Sequence, residues 1–340
     1  MNKSRDRYID FLRGAAILLV VYAHAIQSCN AMDSHNPIHI IIQTFQMSML
    51  MMISGYCSNY SEPPKSIKLA LFKKISRLLI PYLLWEQIHY LLKVFINKYD
   101  YTLIVQIVSV FTSKFWFLRI LFLIYLGYLF FFGVTEYLLK SYKREIQLMG
   151  GVIAVIVTIL LFSRIPGCSS VISYSFMFLI GNLALKLRKR IGKAIFLHIC
   201  IVGCFCFIVS CVLYFNTNGI LLFVLDKSMA ITGTMFFAVL TRIIFKSVKN
   251  EKLIKEMSKI GTATLSIYSI HWCLLFDLNL FNNYEILVSR GINIYLAALI
   301  IFTIWLTICL ILISIYNLLK HVICKRILYS NCHMDRDSGK

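Results

Sequence analysis

Runs of about twenty mostly apolar residues recur from one end of this chain to the other, and they restrict its fold more than any other feature. As a helix rising about 1.5 Å per residue, such a run spans the hydrocarbon layer of a bilayer. With 59% of its 340 residues hydrophobic, the chain has too little polar surface for a soluble domain of its size. The pattern predicts an all-α polytopic membrane protein of about ten transmembrane helices, at roughly 11–28, 37–57, 81–96, 115–137, 147–162, 171–187, 194–215, 220–245, from 262 through Tyr268 and His271, and 292–319. Residues 1–340 read as one integral-membrane domain ending in a polar tail from about 320. No soluble domain, internal repeat or low-complexity segment interrupts it. The first apolar run lacks a small-residue cleavage pattern, so it reads as retained rather than as a signal peptide.

The formal net charge of +20 invites a nucleic-acid reading, but the placement of the charge argues against one. Lys and Arg gather at the N-terminus and in alternate connections: Lys65, Lys68, Lys73, Lys74 and Arg77; Lys140, Lys143 and Arg144; Arg188, Lys189, Arg190 and Lys193; Lys246, Lys249, Lys252, Lys255 and Lys259; and Lys320, Lys325 and Arg326. The other connections carry few or none. This is the positive-inside pattern, and it predicts both termini in the cytoplasm. The charge then serves orientation and contact with an anionic leaflet. Eleven cysteines are scattered, many of them inside apolar runs, without zinc-ligand spacing, so neither a metal site nor a disulfide framework is expected.

Ionisable side chains are costly inside a bilayer and mark functional positions. The first helix carries Asp10, Arg13 and His24. Arg13 and His24 are eleven residues apart, three helical turns plus about 20°, so they share a face and lie roughly 16 Å apart along the axis. Asp10 falls one turn before Arg13 on that face. Glu86 and His89, one turn apart, lie inside the third span. Arg119 follows Trp116 at the start of the fourth, and His271 sits in the middle of the ninth. Asp226 and Lys227, close to the start of the eighth, read as flanking residues. Each of these groups could instead be a packing or interfacial residue: Arg13 snorkelling, His24 bonding between helices, Arg119 anchoring at the interface, Lys74 and Arg77 only setting topology.

These residues carry a resemblance. Arg7-Tyr-Ile-Asp10-Phe-Leu-Arg13-Gly14, with an apolar run ending in His24, resembles the opening of the acyltransferase-3 family of membrane O-acyltransferases, whose signature is an Arg and a His separated by ten residues. Ser54-Gly55-Tyr56 resembles the family's second marker. Lys74-Ile-Ser-Arg77 followed by Pro81-Tyr-Leu-Leu-Trp85 is similar to its basic motif and third helix, although the family often has Arg where Lys74 stands. Trp116-Phe-Leu and Gly261-Thr-Ala-Thr-Leu-Ser-Ile-Tyr268-Ser-Ile-His271 match later markers. The chain resembles the short members that lack an SGNH esterase domain.

The resemblance implies transfer of an acyl group, usually from acetyl-CoA, to a hydroxyl of a bacterial surface glycan or its lipid-linked precursor. No cofactor is bound permanently on this reading, and acyl-CoA is a substrate. His24, Arg13 and Asp10 would be catalytic, with His24 the general base, because a neutral imidazole suits removal of a hydroxyl proton near pH 7. Lys74, Arg77 and Ser54 would bind the donor, whose phosphates suit cationic side chains. Glu86, His89, Trp116, Arg119, Tyr268 and His271 would line an acceptor cavity open to the outside. Ten helices and buried charges would also serve a secondary transporter, though paired Gly/Pro-broken helices are not evident. A non-catalytic partner in glycan assembly is a further alternative, against which an intact Arg13 and His24 count.

Overall fold

The computed structural model describes residues 6–29, 36–58, 66–97, 115–190, 192–276 and 289–337, with isolated positions between them. Among the described residues the chain is helical and contains no strand. The elements are α1 (Arg7–Cys29), α2 (Pro37–Cys57), α3 (Ile67–Lys74), α4 (Ile80–Asn97), α5 (Trp116–Gly133), α6 (Arg144–Ser163), α7 (Val171–Arg190), α8 (Lys193–Tyr214), α9 (Gly219–Ser247), α10 (Glu251–Thr262), α11 (Thr264–Phe276) and α12 (Ile294–Asp337). The expected connections at 30–35 and 282–286, residue Lys65 and most of 97–114 lie outside the described residues.

Among the described residues, seven helical segments are long and apolar enough to cross a bilayer: Arg7–Cys29, Pro37–Cys57, Trp116–Leu138, Glu145–Ser163, Leu197–Tyr214, Gly219–Ser247 and Ile294–Leu318. The protein is an integral membrane protein. The three other expected spans are helical but fall short of that standard. Glu86, Gln87, His89 and Lys93 dilute α4, the apolar part of α7 is confined to Val171–Ala184, and α11 has 13 described residues. Lipid-type surfaces are plain on α6, α8 and α12, where Ile153, Leu160, Val202, Phe205, Val212, Ile311 and Leu312 all point outward.

Two expected basic loops are helices. The first comprises α3 and a π-helical turn, Ile75–Leu79, that carries the chain without a break into α4. Pro81 has no N–H to offer the preceding turn, and the π turn absorbs that loss: the N–H of Ile80 donates five residues back, to the Ile75 carbonyl. The second is α10. Asn250 caps it by accepting from the N–H groups of Lys252 and Leu253, and its apolar face buries Ile254 and Gly261. Lysines dominate the composition here and hide that face. The expected polar tail also differs, since α12 continues through it to Asp337.

Helix α1 is the hub, in contact with α2, α9, α10, α11 and α12. Its Ile17, Val20, Val21 and Ile26 meet Met49 and Met51 of α2, Leu118 and Ile124 of α5, Phe178 of α7 and Trp305 of α12 in one apolar core. Two crossings are closer than side chains permit. Where α1 meets α10, a Cβ on Gly14 would lie 2.3 Å from the Met257 carbonyl oxygen, and one on Gly261 would lie 1.7 Å from that of Asp10. Where α2 meets α7, Gly55 and Gly181 play the same reciprocal part, against the carbonyls of Phe178 and Met52. Paired small residues are how helices approach closely in lipid. The first crossing fixes the end of α1 that carries Asp10 and Arg13.

Candidate functional site

At the Arg13 end of α1, the predicted pair is made: Arg13 Nη1 lies 3.7 Å from Asp10 Oδ1, with Asp10 buried and Arg13 partly accessible. The basic segment supplies the next cation. Lys74 Nζ sits 3.2 Å from the centre of the Tyr125 ring, and the Tyr125 hydroxyl lies 3.0 Å from Ser58 Oγ at the end of α2. Arg13 and Lys74 therefore border the same tyrosine, Arg13 through its field. Burial, and then the neighbouring Arg77 charge, lower the Lys74 ammonium to about 8. Arg77 itself is exposed. Ser54 is less available, because its hydroxyl donates to the Leu50 carbonyl of its own helix at 2.8 Å.

Two residues here carried little sequence signal. Asn182 of α7 donates to the Ser58 and Gly55 carbonyls and so closes the end of α2. Arg242 of α9 lies 5.0 Å over the Tyr8 ring and adds a cation beside the start of α1.

Three turns further along α1, His24 meets α11. Its ring centre lies 5.6 Å from that of His271 and 4.8 Å from Trp272, edge to face. His24 Nδ1 is 3.2 Å from Gln27 Oε1. His271 is fully buried, and its Nδ1 is 2.7 Å from the Ile267 carbonyl. A carbonyl only accepts, so Nδ1 carries the proton and Nε2 holds the lone pair. That Nε2 has no hydrogen-bond partner in the structure. An imidazole held by one nitrogen, with a lone pair left on the other, is equipped to accept a hydrogen bond.

Tyr268 extends this cluster. Its ring lies 6.0 Å from His271 and 5.5 Å from Phe117 of α5. Arg119, one turn after Phe115, is buried and acts electrostatically on Tyr268. Its guanidinium already has protein partners, donating to the carbonyls of Gly167 at 2.8 Å and Val110 at 3.0 Å and to the Tyr82 hydroxyl at 3.5 Å. It clamps two connections onto the start of α5. Trp116 stacks on Tyr174 of α7, with ring centres 5.0 Å apart. Glu86 and His89 form a buried pair of their own, 3.8 Å apart, and the His89 ring packs on Phe115. Glu86, His89, Arg119, Tyr268 and His271 are buried, and His24 and Trp116 are partly accessible. His24, His271 and Tyr268 come together directly, and Arg119 and Trp116 join them through Tyr268 and Phe117. Glu86 and His89 lie on α4, which packs against α11, and the His89 ring meets Phe115 at the start of α5.

An all-helical membrane protein thus holds a charged pair at one end of its central helix and two imidazoles toward the other. The family model described as an acyltransferase domain, that of the acyltransferase-3 family, matches residues 6–316. The chain belongs to that family and is an acyltransferase. No curated protein and no solved structure matches it.

Proposed function

We propose that the protein transfers an acyl group, most simply acetyl, from cytoplasmic acyl-CoA to a hydroxyl of a cell-surface or lipid-linked glycan, with both termini in the cytoplasm, about ten crossings and a seat in the bacterial cytoplasmic membrane. The observation that carries this reading is the arrangement on α1: Asp10 and Arg13 paired at one end, and His24 about 16 Å further along the same face, against His271. The distance suits a donor whose phosphates stay at the cytoplasmic end while its thin acyl arm reaches inward.

On this reading Arg13, Lys74 and Arg77 hold the anionic head of the donor, and Asp10 orients Arg13. Ser54 lies at the same end, where its hydroxyl oxygen still offers an acceptor. The acceptor hydroxyl enters from the other side, past Trp116, Tyr268 and His271, with Arg119, Glu86 and His89 shaping the wall. His24 takes the hydroxyl proton as the oxygen attacks the thioester carbonyl. The C–O bond forms, the C–S bond breaks with its electron pair on sulfur, and the proton passes from His24 to the thiolate. His271, its Nδ1 tied to a carbonyl, presents a lone pair beside this exchange and steadies the charged imidazole.

The experiment is a comparison of the surface glycan from cells with and without the protein. The reading expects alkali-labile esters on a defined sugar to vanish in its absence and to return with the intact gene. Identical ester content in both would overturn it.

A further inference from the structure

Immediately after α5, residues Val134–Leu138 form a second π-helical turn, in which the Leu139 N–H donates five residues back to the Val134 carbonyl at 2.9 Å. No proline accounts for this one. Such turns within longer helices are frequent at functional sites. The turn is held from several sides. Thr135 Oγ1 donates to the Phe131 carbonyl at 3.0 Å, and Gln147 Nε2 pins the following connection by donating to the Lys140 and Tyr142 carbonyls. Helix α6 closes on it at Gly150 and Gly151, where a Cβ would collide with Leu139 and Thr135. Beside the turn lies a cavity of about 230 Å³, lined by Pro64, Ile67, Phe132, Glu136, Tyr137 and Lys140.

Two packed helices join this cavity to the cationic end of the site. Helices α3 and α5 pack antiparallel. Lys74 sits over the Tyr125 ring at one end of their seam, and at the other Ile67 Cδ1 lies 3.9 Å from where a Cβ on Gly133 would be. Ile67 and Lys74 are seven residues apart, as are Tyr125 and Phe132. Seven residues make two helical turns less about 20°, so each pair shares a face and spans roughly 10 Å. The cavity therefore lies about 10 Å along the seam from Lys74. It lies on the side away from the imidazoles, because Phe117, which meets Tyr268 on the same helix, is eight residues before Tyr125. Helix α5 thus passes three features in order: the imidazole cluster, the Lys74 cation and the cavity.

We propose that this cavity receives the adenine ring of the donor, the end of acyl-CoA farthest from the thioester. This rests on the acyl-CoA reading above. The order along α5 is the order of groups in the coenzyme: the acyl group at His24, the phosphates at Lys74, and the nucleoside beyond them. The cavity is smaller than the roughly 300–1,000 Å³ of pockets that enclose a whole drug-sized ligand, so it suits one ring system with the rest of the molecule outside. Its lining matches a purine. Ile67, Phe132 and Pro64 offer apolar walls, and the exposed Tyr137 supplies a ring on which a base stacks. The Glu136 carboxylate accepts from the exocyclic amine, and the exposed Lys140 ammonium meets the phosphate on the ribose.

The test uses the full-length protein in nanodiscs and calorimetry with two probes: CoA, and 4′-phosphopantetheine, which keeps the arm and one phosphate but lacks the nucleoside. The wild type is expected to bind CoA more tightly by about 10-fold or more. Tyr137→Ala removes the stack and Ile67→Trp fills the cavity. Each is expected to weaken CoA binding on the order of 10-fold and to leave 4′-phosphopantetheine binding unchanged. Variants that keep the full preference for CoA would overturn the site. So would a parallel loss of both probes, since that marks a defect at the phosphates or in the fold. Etheno-CoA, in which a two-carbon bridge blocks the adenine amine, tests the wild type alone and covers variants that do not accumulate. It cannot donate to Glu136 and is expected to bind about 10-fold more weakly than CoA, and equal binding would overturn the site. If the wild type binds neither CoA nor 4′-phosphopantetheine, the donor reading itself fails, whereas binding both without preference leaves that reading standing and removes this site.

Discussion

Replacing Gly261 with alanine adds one methyl group to a short helix, yet it should unsettle the end of the protein where the charged pair sits. The new Cβ would lie 1.7 Å from the Asp10 carbonyl oxygen, 2.7 Å from its carbon and 2.9 Å from the Gly14 nitrogen. Ordinary contacts are about 3.5–4 Å, so α10 would have to lift from α1 by roughly 2 Å. The obstructing atoms are all backbone and cannot rotate aside. Overpacking of this kind costs about 1–3 kcal/mol, and a backbone collision belongs at the upper end. Alanine returns at most about 1 kcal/mol in helix propensity over glycine. The expected net loss is about 2 kcal/mol, with a parallel loss of acyl transfer because Asp10 and Arg13 are carried by the same crossing. Gly127 is the control: a Cβ there meets only Ile159 Cγ1, at 3.8 Å, so Gly127→Ala should be neutral or stabilising. Thermal unfolding of both variants in one detergent decides the matter. If Gly261→Ala proves as stable as Gly127→Ala, the close packing of α1 on α10 is not what holds this end together.

Lys74, lowered to about 8, should make CoA affinity decline as the pH rises from 7 to 9, and Lys74→Arg should remove the decline. Stability runs the opposite way: between about 8 and the ordinary lysine value of 10.5 the unfolded chain holds the extra proton, so this group favours the fold more as pH rises. A flat affinity profile in calorimetry would return Lys74 to a topology role. Arg119→Met should destabilise the protein by about 1–3 kcal/mol for each of the Val110 and Gly167 carbonyls it strands, and Arg119→Lys should rescue only part of that. A stable Arg119→Met with only a weaker acceptor KM would contradict the clamp.

Much of this was legible in the sequence because the decisive signals are local. Asp10, Arg13 and His24 share a face by helical period alone, and polar residues such as Glu86, His89 and His271 stand out in apolar runs. What failed to show depends on partners far along the chain. Nothing near Gly261 indicates that it meets the Asp10 carbonyl, and nothing near Gly181 points to Met52. The Val110 and Gly167 partners of Arg119 did not show because they are backbone carbonyls, which carry no side-chain signature. Helix α10 was obscured by its charge, although Lys249, Lys252, Lys255 and Lys259 recur every three or four residues, itself a helical period.

The central claim is that His24 takes the proton of the attacking hydroxyl. The most direct measurement is release of free CoA thiol by the purified protein in nanodiscs, with acyl-CoA and the producing cell's glycan, comparing wild type with His24→Ala. General-base assistance is typically worth about 10²–10⁴-fold. The account predicts a fall in kcat of that size in His24→Ala, with CoA affinity and thermal stability retained. Thiol release within a few-fold of wild type would contradict it.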